Sequence, residues 1–354
     1  MLPPIFSLRH LADLTGNDYV KLRSIVRRDD PEPYKLFRLR KKPSFDGDHR
    51  FRVIAIPQPS LMKTQRWIAQ QILAHTRPHA AAVAYVKHGR LKDAAAVHCQ
   101  SKWLIKLDIT NFFESIDERS VYEVFKDLGY QRLVAFEMAR ICSRLGKYTP
   151  ARSGPRWHSS STQWQKIKAY QVDRPAAAWP TVGHLPQGAP TSPMLANLAT
   201  RELDAELDHL ASKHGLRFTR YADDITFSTR GRIMSSGAGQ IVREVYTILN
   251  GHGFSPNRTK TKISAPGTRK VVLGLLVDGP EPCLTREFRA NMRRHLYYLL
   301  REDVGPVNHA KARGFISTIG LRNHLLGLIG FARQIDEAYG IRCREEFDLV
   351  NWPI

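Results

Sequence analysis

Two adjacent aspartates, Asp223 and Asp224, are the residues of this sequence whose types and spacing most clearly suggest chemistry. They lie between two short runs in which apolar and polar residues alternate, where neighbouring like charges repel each other and resist desolvation. A divalent cation removes that penalty when it binds between them and a third carboxylate arrives from elsewhere. Asp108, which follows an apolar run, is the candidate third carboxylate. Together the three predict a Mg²⁺-dependent site for nucleotidyl transfer.

Short strands must position these aspartates. The runs 216–220 and 225–228 predict a hairpin that carries Asp223 and Asp224, and the run 103–107 predicts a strand that ends at Asp108. The other predicted elements are a strand at 52–57, helices at 61–74, 119–127, 133–145, 194–211 and 241–251, a strand or hairpin at 271–279, and helices from 285 onward. Because strands and helices alternate irregularly, we predict an α+β fold with an antiparallel sheet rather than a doubly wound one.

The composition points to a polyanionic partner. The 354 residues include 54 Lys and Arg against 33 Asp and Glu, a net charge of +21 that would repel itself in isolation. In the segment 140–174, eight basic residues and one acid are interleaved with aromatic residues. That pattern suits single-stranded nucleic acid, which needs backbone neutralisation and base stacking. For the net charge, the alternative is a generally soluble basic protein. For the segment 140–174, the alternative is a solvated insertion whose aromatic residues anchor it to the core.

The cysteines and the apolar runs bear on the compartment. The four cysteines lie far apart without a Cys-x-x-Cys pair, which predicts reduced thiols in a cytoplasmic protein rather than a zinc site or a disulfide framework. The N-terminus lacks a basic region followed by a long apolar stretch, and no run approaches the roughly 18 apolar residues of a membrane span. We therefore expect a protein that is neither secreted nor embedded in a membrane.

Several motifs occur in an order that resembles a known family. They are Asp108-Ile109-Thr110-Asn111-Phe112-Phe113-Glu114-Ser115-Ile116, the Leu-Pro-Gln-Gly block that begins at Leu185, Tyr221-Ala222-Asp223-Asp224, and Asn257 with Lys260-Thr261. Over about residues 50–335 the chain resembles a bacterial reverse transcriptase of the retron and group II intron lineage. The retron branch fits best, since His98 after Ala94-Ala95 is similar to its Asn-Ala-x-x-His element, and Val272-Leu273-Gly274 stands where that branch has Val-Thr-Gly.

The resemblance implies a right-hand polymerase with fingers, an antiparallel palm sheet and a helical thumb. Residues 1–100 would form an N-terminal extension and the fingers. Residues 101–279 would form the palm, together with a second fingers portion and a basic, aromatic insertion near 140–184. Residues 280–354 would form the thumb, and the roughly 75 residues after Gly279 leave no room for the maturase and DNA-binding domains of group II intron proteins.

The resemblance also implies how two Mg²⁺ ions, with Mn²⁺ as an alternative, would be held. Asp108 and Asp223 would bridge the metals, Asp224 would complete the shell, and the Ile109 carbonyl would add a ligand. The ions would help to deprotonate the primer 3′-hydroxyl, align its attack and stabilise the leaving pyrophosphate. Solvated acids in a hairpin turn are the alternative for Asp223 and Asp224.

Further residues match the substrate pocket of the family. Phe113 matches the steric gate that selects dNTPs, whereas a plain core role better suits Phe112. Gln187 and Gly188 match the turn that orients sugar and base, and Tyr221 belongs to the same pocket. Arg52 would grip the triphosphate, with Arg50 as a competing choice and a solvated strand charge as a third. Lys260 would approach the active-site carboxylates or the template–primer, or would be a surface lysine.

Two regions are expected to contact nucleic acid. Leu273 and Gly274 resemble the primer-grip hairpin, where missing bulk lets the primer backbone approach. A helix at 285–300 places Phe288, Met292, Leu296 and Leu299 on one face and Arg286, Arg289 and Arg293 on the opposite face. Those arginines would follow the phosphates of an RNA–DNA duplex, or would form a solvated basic face. His98 is either a satisfied core histidine or a functional residue.

The function implied is RNA-templated DNA synthesis from dNTPs. A retron enzyme would use a cognate structured RNA as template and primer and would make a branched RNA–DNA hybrid, in anti-phage defence with a separate effector protein. The alternatives are a standalone or group II intron-derived reverse transcriptase, a template-independent or protein-primed defence polymerase, and an RNA-binding scaffold whose catalysis is dispensable.

Overall fold

The computed structural model describes residues 2–29, 33–40, 51–145, 182–233 and 235–353. Arg50 and most of the predicted insertion at 140–174 lie outside the described residues. The strands are β1 (Tyr34–Arg40), β2 (Phe51–Pro57), β3 (Trp103–Thr110), β4 (Arg217–Tyr221), β5 (Asp224–Thr229), β6 (Ser255–Pro256), β7 (Lys262–Ser264), β8 (Val271–Val272), β9 (Leu275–Leu276) and β10 (Cys283–Leu284). The helices are α1 (Leu8–Thr15), α2 (Tyr19–Arg27), α3 (Pro59–Gln71), α4 (Leu91–Ala96), α5 (Phe112–Ser115), α6 (Glu118–Asp127), α7 (Arg132–Cys142), α8 (Ser192–Ala199), α9 (Arg201–Lys213), α10 (Ser235–Gly251), α11 (Arg286–Leu300), α12 (Gly305–Ala312), α13 (Thr318–Ile335) and α14 (Glu337–Asp348).

The central sheet has the strand order β4-β5-β3-β6, and β7 also pairs with β3. Each of these pairs is antiparallel, as is the separate ribbon β1-β2 and the small sheet β10-β9-β8. Six of the eight β3 residues are buried, because its apolar side chains point to both covered faces of the sheet. The expected α+β class with an antiparallel sheet is therefore confirmed.

Three groups of buried residues hold the described part of the chain together. The first joins α1, α2 and α3 to the central sheet and to α6–α10. The second lies among the C-terminal helices α11–α14. The third packs α4 and the small sheet against α13, so the two segments that resemble retron elements lie against one another.

The single helix predicted over 194–211 was wrong, because the structure has two helices, α8 and α9, separated at Thr200. The Thr200 backbone leaves the helical region, at φ −103° and ψ 16°. Its side-chain hydroxyl donates to the Ala196 carbonyl, 2.8 Å away, a local bond that competes with regular helix geometry. The break brings both helices to a buried arginine of β4, whose contacts are described below.

Among the described helices, none combines the length and the apolar character that crossing a membrane would require.

Candidate active site

A two-residue turn carries the first of the paired aspartates. β4 ends at Tyr221 and β5 begins at Asp224, so Ala222 and Asp223 form the turn. Ala222 has φ 56°, a left-handed conformation that costs a residue with a Cβ about 1–2 kcal/mol. The Ile109 amide donates to the Asp223 carbonyl at 2.9 Å, which anchors the turn to β3. The strained backbone of Ala222 is thus stabilised by β3 directly beside Asp223.

Asp108 and Asp224 are register partners on neighbouring strands, β3 and β5. Asp108 is buried, and Asp223 and Asp224 are half-buried. Burial raises the pKa of Asp223, and the negative charge of Asp108 raises it further. Burial likewise raises the pKa of Asp224, with added contributions from Asp223 and Asp108. The three predicted carboxylates therefore share one site in which their ionised forms disfavour each other.

Cationic and amide donors already satisfy one of these carboxylates. The Asn257 side-chain amide donates to Asp108 Oδ1 at 2.9 Å, and the Lys260 ammonium donates to Asp108 Oδ2 at 2.7 Å. Within the described ranges, no group of three or more His, Cys, Asp or Glu side chains is arranged to hold a metal ion. The oxygen donors suit a hard divalent cation, but such an ion would compete with the ammonium of Lys260 for Asp108.

The Gln187-Gly188 turn is docked on β2. The Ala55 amide donates to the Gln187 carbonyl at 2.7 Å. Gly188 has φ 111°, and a Cβ there would lie 2.9 Å from Ile54 Cγ2 and 3.1 Å from the Ala55 carbonyl oxygen. The glycine is therefore required for the turn to pack against β2, a structural role that the sequence motif alone does not reveal.

The Gln187 side chain has a partner within the protein. Its amide nitrogen donates to the Glu114 carboxylate, at 3.2 Å and 3.3 Å from the two oxygens. Glu114 is buried and belongs to α5, directly after Phe113. The turn that was predicted to orient the nucleotide is thus linked to the helix that carries the predicted steric gate.

An aromatic group lines the surface next to the aspartates. Phe112 is buried and Phe113 is half-buried. The Tyr85 ring lies 6.3 Å from the Phe113 ring and 6.3 Å from the Tyr221 ring, between centroids. Arg52 is exposed on β2, and its positive charge acts on both Asp223 and Tyr85. Phe113, Tyr221 and Arg52 therefore border the same site.

Arg220 is the most important residue that reasoning from the sequence missed. Its guanidinium is fully buried and makes two bonds of 2.6 Å to the equally buried carboxylate of Asp204. It also donates to the Thr200 hydroxyl at 2.8 Å, to Asn197 Oδ1 at 3.3 Å and to the Ala222 carbonyl at 3.1 Å. These bonds connect α8 and α9 to the turn that holds Asp223.

His98 is a satisfied core histidine. Its side chain is fully buried. Nδ1 lies 2.7 Å from the Ser228 hydroxyl and Nε2 lies 2.7 Å from the Thr219 hydroxyl. The two hydroxyls belong to β5 and β4, so the imidazole fastens the segment after α4 to the central sheet. Of the two interpretations of His98, the structure favours the structural one.

We expect the burial of neutral His98 to make folding pH-dependent. Burial lowers the pKa of His98 from 6.5 to about 3, helped by the charges of Arg217 and Lys106. Below pH 6.5 the unfolded chain therefore binds a proton at this histidine that the folded chain does not bind. The free energy of unfolding then falls by up to about 1.4 kcal/mol for each further pH unit. His98→Gln should show a shallower decline in unfolding midpoint between pH 7 and pH 5. The exposed His75→Gln should match wild type, and equal slopes for all three proteins would contradict the expectation.

Leu273 and Gly274 form the turn between β8 and β9. Both have positive φ, at 50° and 82°, the backbone of a tight turn that matches the twist of its strands. Gly274 is exposed with open space where a Cβ would be, while Leu273 packs against the third buried cluster. An open backbone edge is therefore available at Gly274.

The predicted basic face of α11 is smaller than expected. Met292, Leu296 and Leu299 are buried as predicted, and Arg286 and Arg293 are exposed. Arg289 instead donates to Asp336 at 2.6 Å and lies 4.4 Å above the Tyr339 ring. Because α14 begins next to Asp336, Arg289 serves the packing of α11 on α14, so two of the three predicted arginines, Arg286 and Arg293, remain exposed.

Comparisons with known proteins bear on the family of this chain. Residues 39–277 match the family model described as reverse transcriptase (RNA-dependent DNA polymerase). The retron Ec86 reverse transcriptase of Escherichia coli is 25% identical, and the match covers 96% of this chain and 92% of that protein. The retron Ec73 reverse transcriptase of Escherichia coli is 29% identical, covering 91% and 90%. A telomerase from Candida albicans, solved with a fragment of telomeric RNA, aligns at 12% identity and a TM-score of 0.43, covering 90% of this chain and 56% of that one.

Proposed function

Since this chain belongs to the reverse transcriptase (RNA-dependent DNA polymerase) family, and resembles its retron members over most of its length, we propose that it makes a branched RNA–DNA from a cognate structured RNA. It is an RNA-directed DNA polymerase with a right-hand fold. The finer steps of the proposal concern the metal ions, the role of each site residue and the product.

The observation that carries the polymerase chemistry is the register pairing of Asp108 with Asp224, with Asp223 anchored to Ile109 at the adjacent turn. The resemblance to retron members supports the branched product. Asp108, Asp223 and Asp224, together with the Ile109 carbonyl, would hold two Mg²⁺ ions, and Mn²⁺ would be able to replace Mg²⁺. When bound, the ions stabilise the attacking and leaving oxygens of an in-line displacement. Burial raises the pKa of Asp223 and of Asp224, and the neighbouring carboxylates raise it further, so a bound cation would stabilise the ionised forms of both.

The other pocket residues would act on the nucleotide. Phe113, half-buried beside the aspartates, would exclude a 2′-hydroxyl and so select dNTPs. Gln187 and Gly188 would orient the sugar and base on a turn held by β2. Arg52 would bind the triphosphate through charge-assisted bonds. These roles follow from the family resemblance and from the positions of these residues around the same site.

Tyr221 and Lys260 would act beside the metal site. Tyr221 ends β4 next to the turn and would contact the substrate there. Lys260 would release Asp108, which it now contacts at 2.7 Å, and its exposed ammonium would then be free to contact the substrate. The ammonium satisfies Asp108 until a divalent ion takes that role.

The nucleic acid would run past the small sheet and the C-terminal helices. Leu273 and Gly274 would contact the primer backbone, and the exposed Arg286 and Arg293 would contact the phosphates of the RNA–DNA hybrid. We propose fingers within residues 1–100, a palm at 101–279 and a thumb at 280–354, since the C-terminal helices have a buried cluster of their own. Arg289 would support this thumb through Asp336 rather than bind nucleic acid directly.

The biological proposal is a cytoplasmic retron enzyme that acts in anti-phage defence with a separate effector protein. All four cysteines are free thiols, three of them buried, which suits a reducing compartment. The net charge of +21 suits a chain that stays bound to its RNA and to the hybrid product.

The test compares nucleic acid that co-purifies with wild type and with Asp223→Asn/Asp224→Asn, after separate RNase and DNase treatment and sequencing. We expect a short discrete DNA joined to a structured RNA, absent from the variant. RNA alone in both preparations would favour a scaffold whose catalysis is dispensable. No discrete species, together with dNTP incorporation on a supplied RNA template, would leave a general reverse transcriptase and reject the retron assignment.

A further inference from the structure

Tyr85 is an exposed aromatic residue at the active site that no motif singled out. The residue is 43% exposed, although it stands beside a buried core. Its backbone has φ 61°, a conformation in which a bulky residue is strained and which the surrounding structure must enforce. An exposed ring on a strained backbone needs a reason.

The buried network of the active-site turn holds the segment before Tyr85. The Val83 amide donates to the Arg220 carbonyl at 3.0 Å, and Ala82 forms an isolated bridge with the same strand residue. The Asn197 side-chain amide donates to the Ala84 carbonyl at 2.7 Å. The backbone that leads into Tyr85 is therefore fixed by the residues that also fix Asp223.

The Tyr85 ring faces the residues assigned to the nucleotide. It lies at equal centroid distances of 6.3 Å from Phe113 and Tyr221. Partial burial raises the pKa of Tyr85, and the charge of Asp223 raises it further while Arg52 lowers it, which places both charged groups in its electrostatic surroundings. Tyr85 is thus bordered by the gate, the turn and the candidate triphosphate ligand.

We propose that Tyr85 is a substrate-contact residue, whose ring packs against the sugar and base of the incoming dNTP opposite Phe113. The inference rests on the proposed function, because it assigns a further wall to the same pocket. Aromatic rings gain free energy by packing on nucleotide bases irrespective of base identity. Because the backbone at Tyr85 is already fixed, binding a nucleotide would cost less conformational entropy than it would on a mobile loop.

The test measures kcat and KM for dNTPs on a supplied RNA template–primer. Tyr85→Gly removes the ring, yet glycine accepts the left-handed backbone without strain, so the fold should be as stable as wild type or more so. We expect KM for dNTPs to rise by about tenfold or more, with a smaller change in kcat. Tyr85→Phe, which keeps the ring, should recover most of that loss. Phe136→Ala, at an aromatic residue of similar exposure on α7, is the matched control.

The outcomes separate this inference from the proposed function. A wild-type protein that incorporates no dNTP would reject the proposed function, and the pocket with it. An active wild type with an unchanged KM in Tyr85→Gly would overturn only the Tyr85 assignment. The Tyr85 assignment would also be overturned if a lowered unfolding midpoint of Tyr85→Gly accounted for its lost activity. A weaker affinity for the template–primer, with KM for dNTPs unchanged, would overturn it as well.

Discussion

Asp108→Asn is expected to abolish DNA synthesis while leaving the protein folded. Asparagine has the same shape and still accepts a bond from Asn257, but it removes the charge that, on the proposed function, would hold the cations. Metal stabilisation of transition-state charge is worth several kcal/mol, so we expect the rate to fall on the order of 10³-fold or more. The bond to Lys260 is lost, because the new amide nitrogen and the ammonium are both donors, yet the lysine side chain is 57% exposed, and such pairs contribute roughly 1 kcal/mol or less.

The measurement is dNTP incorporation on a supplied RNA template over a range of Mg²⁺ concentrations, with thermal unfolding of the same samples. Asp208→Asn is the matched control, because Asp208 is exposed on α9 and undergoes the same chemical change away from the turn. Substantial activity in Asp108→Asn at any Mg²⁺ concentration would reject the assignment of Asp108 as a metal ligand. Loss of folding in Asp108→Asn would instead show that Asp108 is needed for the stability of the fold.

The features that could be predicted from the sequence are those that depend on the local alternation of apolar and polar residues and on the order of the motifs along the chain. Alternation over 216–220 and 225–228 predicted the hairpin, and the apolar run before Asp108 predicted a buried strand. Side-chain direction in a strand has a period of two, so the pattern determines which face is buried. The meeting of Asp108 with the paired aspartates depends on strand order, which the family resemblance supplied and local patterning could not.

What could not be predicted depends on partners that are distant in sequence. Arg220 resembles a solvated strand charge, because nothing near it in sequence shows that Asp204 and the break at Thr200 enclose it. Gly188 matches a nucleotide-pocket motif, but its close neighbours are Ile54 and Ala55 on another strand. Polar residues in an alternating pattern are ordinarily assigned to solvent. A fully paired buried charge is the exception that such a pattern cannot indicate.

Helix α11 shows the same limit on a smaller scale. A helical wheel over 285–300 separates the arginines from the apolar stripe, and the burial of Met292 and Leu296 agrees with it. The wheel considers one helix alone. It therefore could not show that α14 begins beside Arg289 and supplies Asp336 as its partner.

Arg220→Met is expected to destabilise the protein by about 3 to 5 kcal/mol, because it leaves the carboxylate of Asp204 buried without a counter-charge. The side chains of Asp204 and Arg220 are both 0% exposed, so solvent cannot compensate. The double variant Arg220→Met/Asp204→Leu removes both charges and should recover much of the lost free energy of unfolding. Denaturant unfolding of the two single variants, the double variant and wild type measures the coupling between the residues.

The same four proteins also separate stability from catalysis. Arg220 donates to the Ala222 carbonyl at 3.1 Å, so the double variant regains a packed core without regaining the bond that holds the strained turn. We therefore expect the double variant to unfold near the wild-type midpoint while its dNTP incorporation stays well below that of wild type. Equal recovery of stability and activity would mean that Arg220 acts only as a core ion pair. Continued loss of activity alone would mean that the buried arginine positions Asp223 through the backbone of the turn.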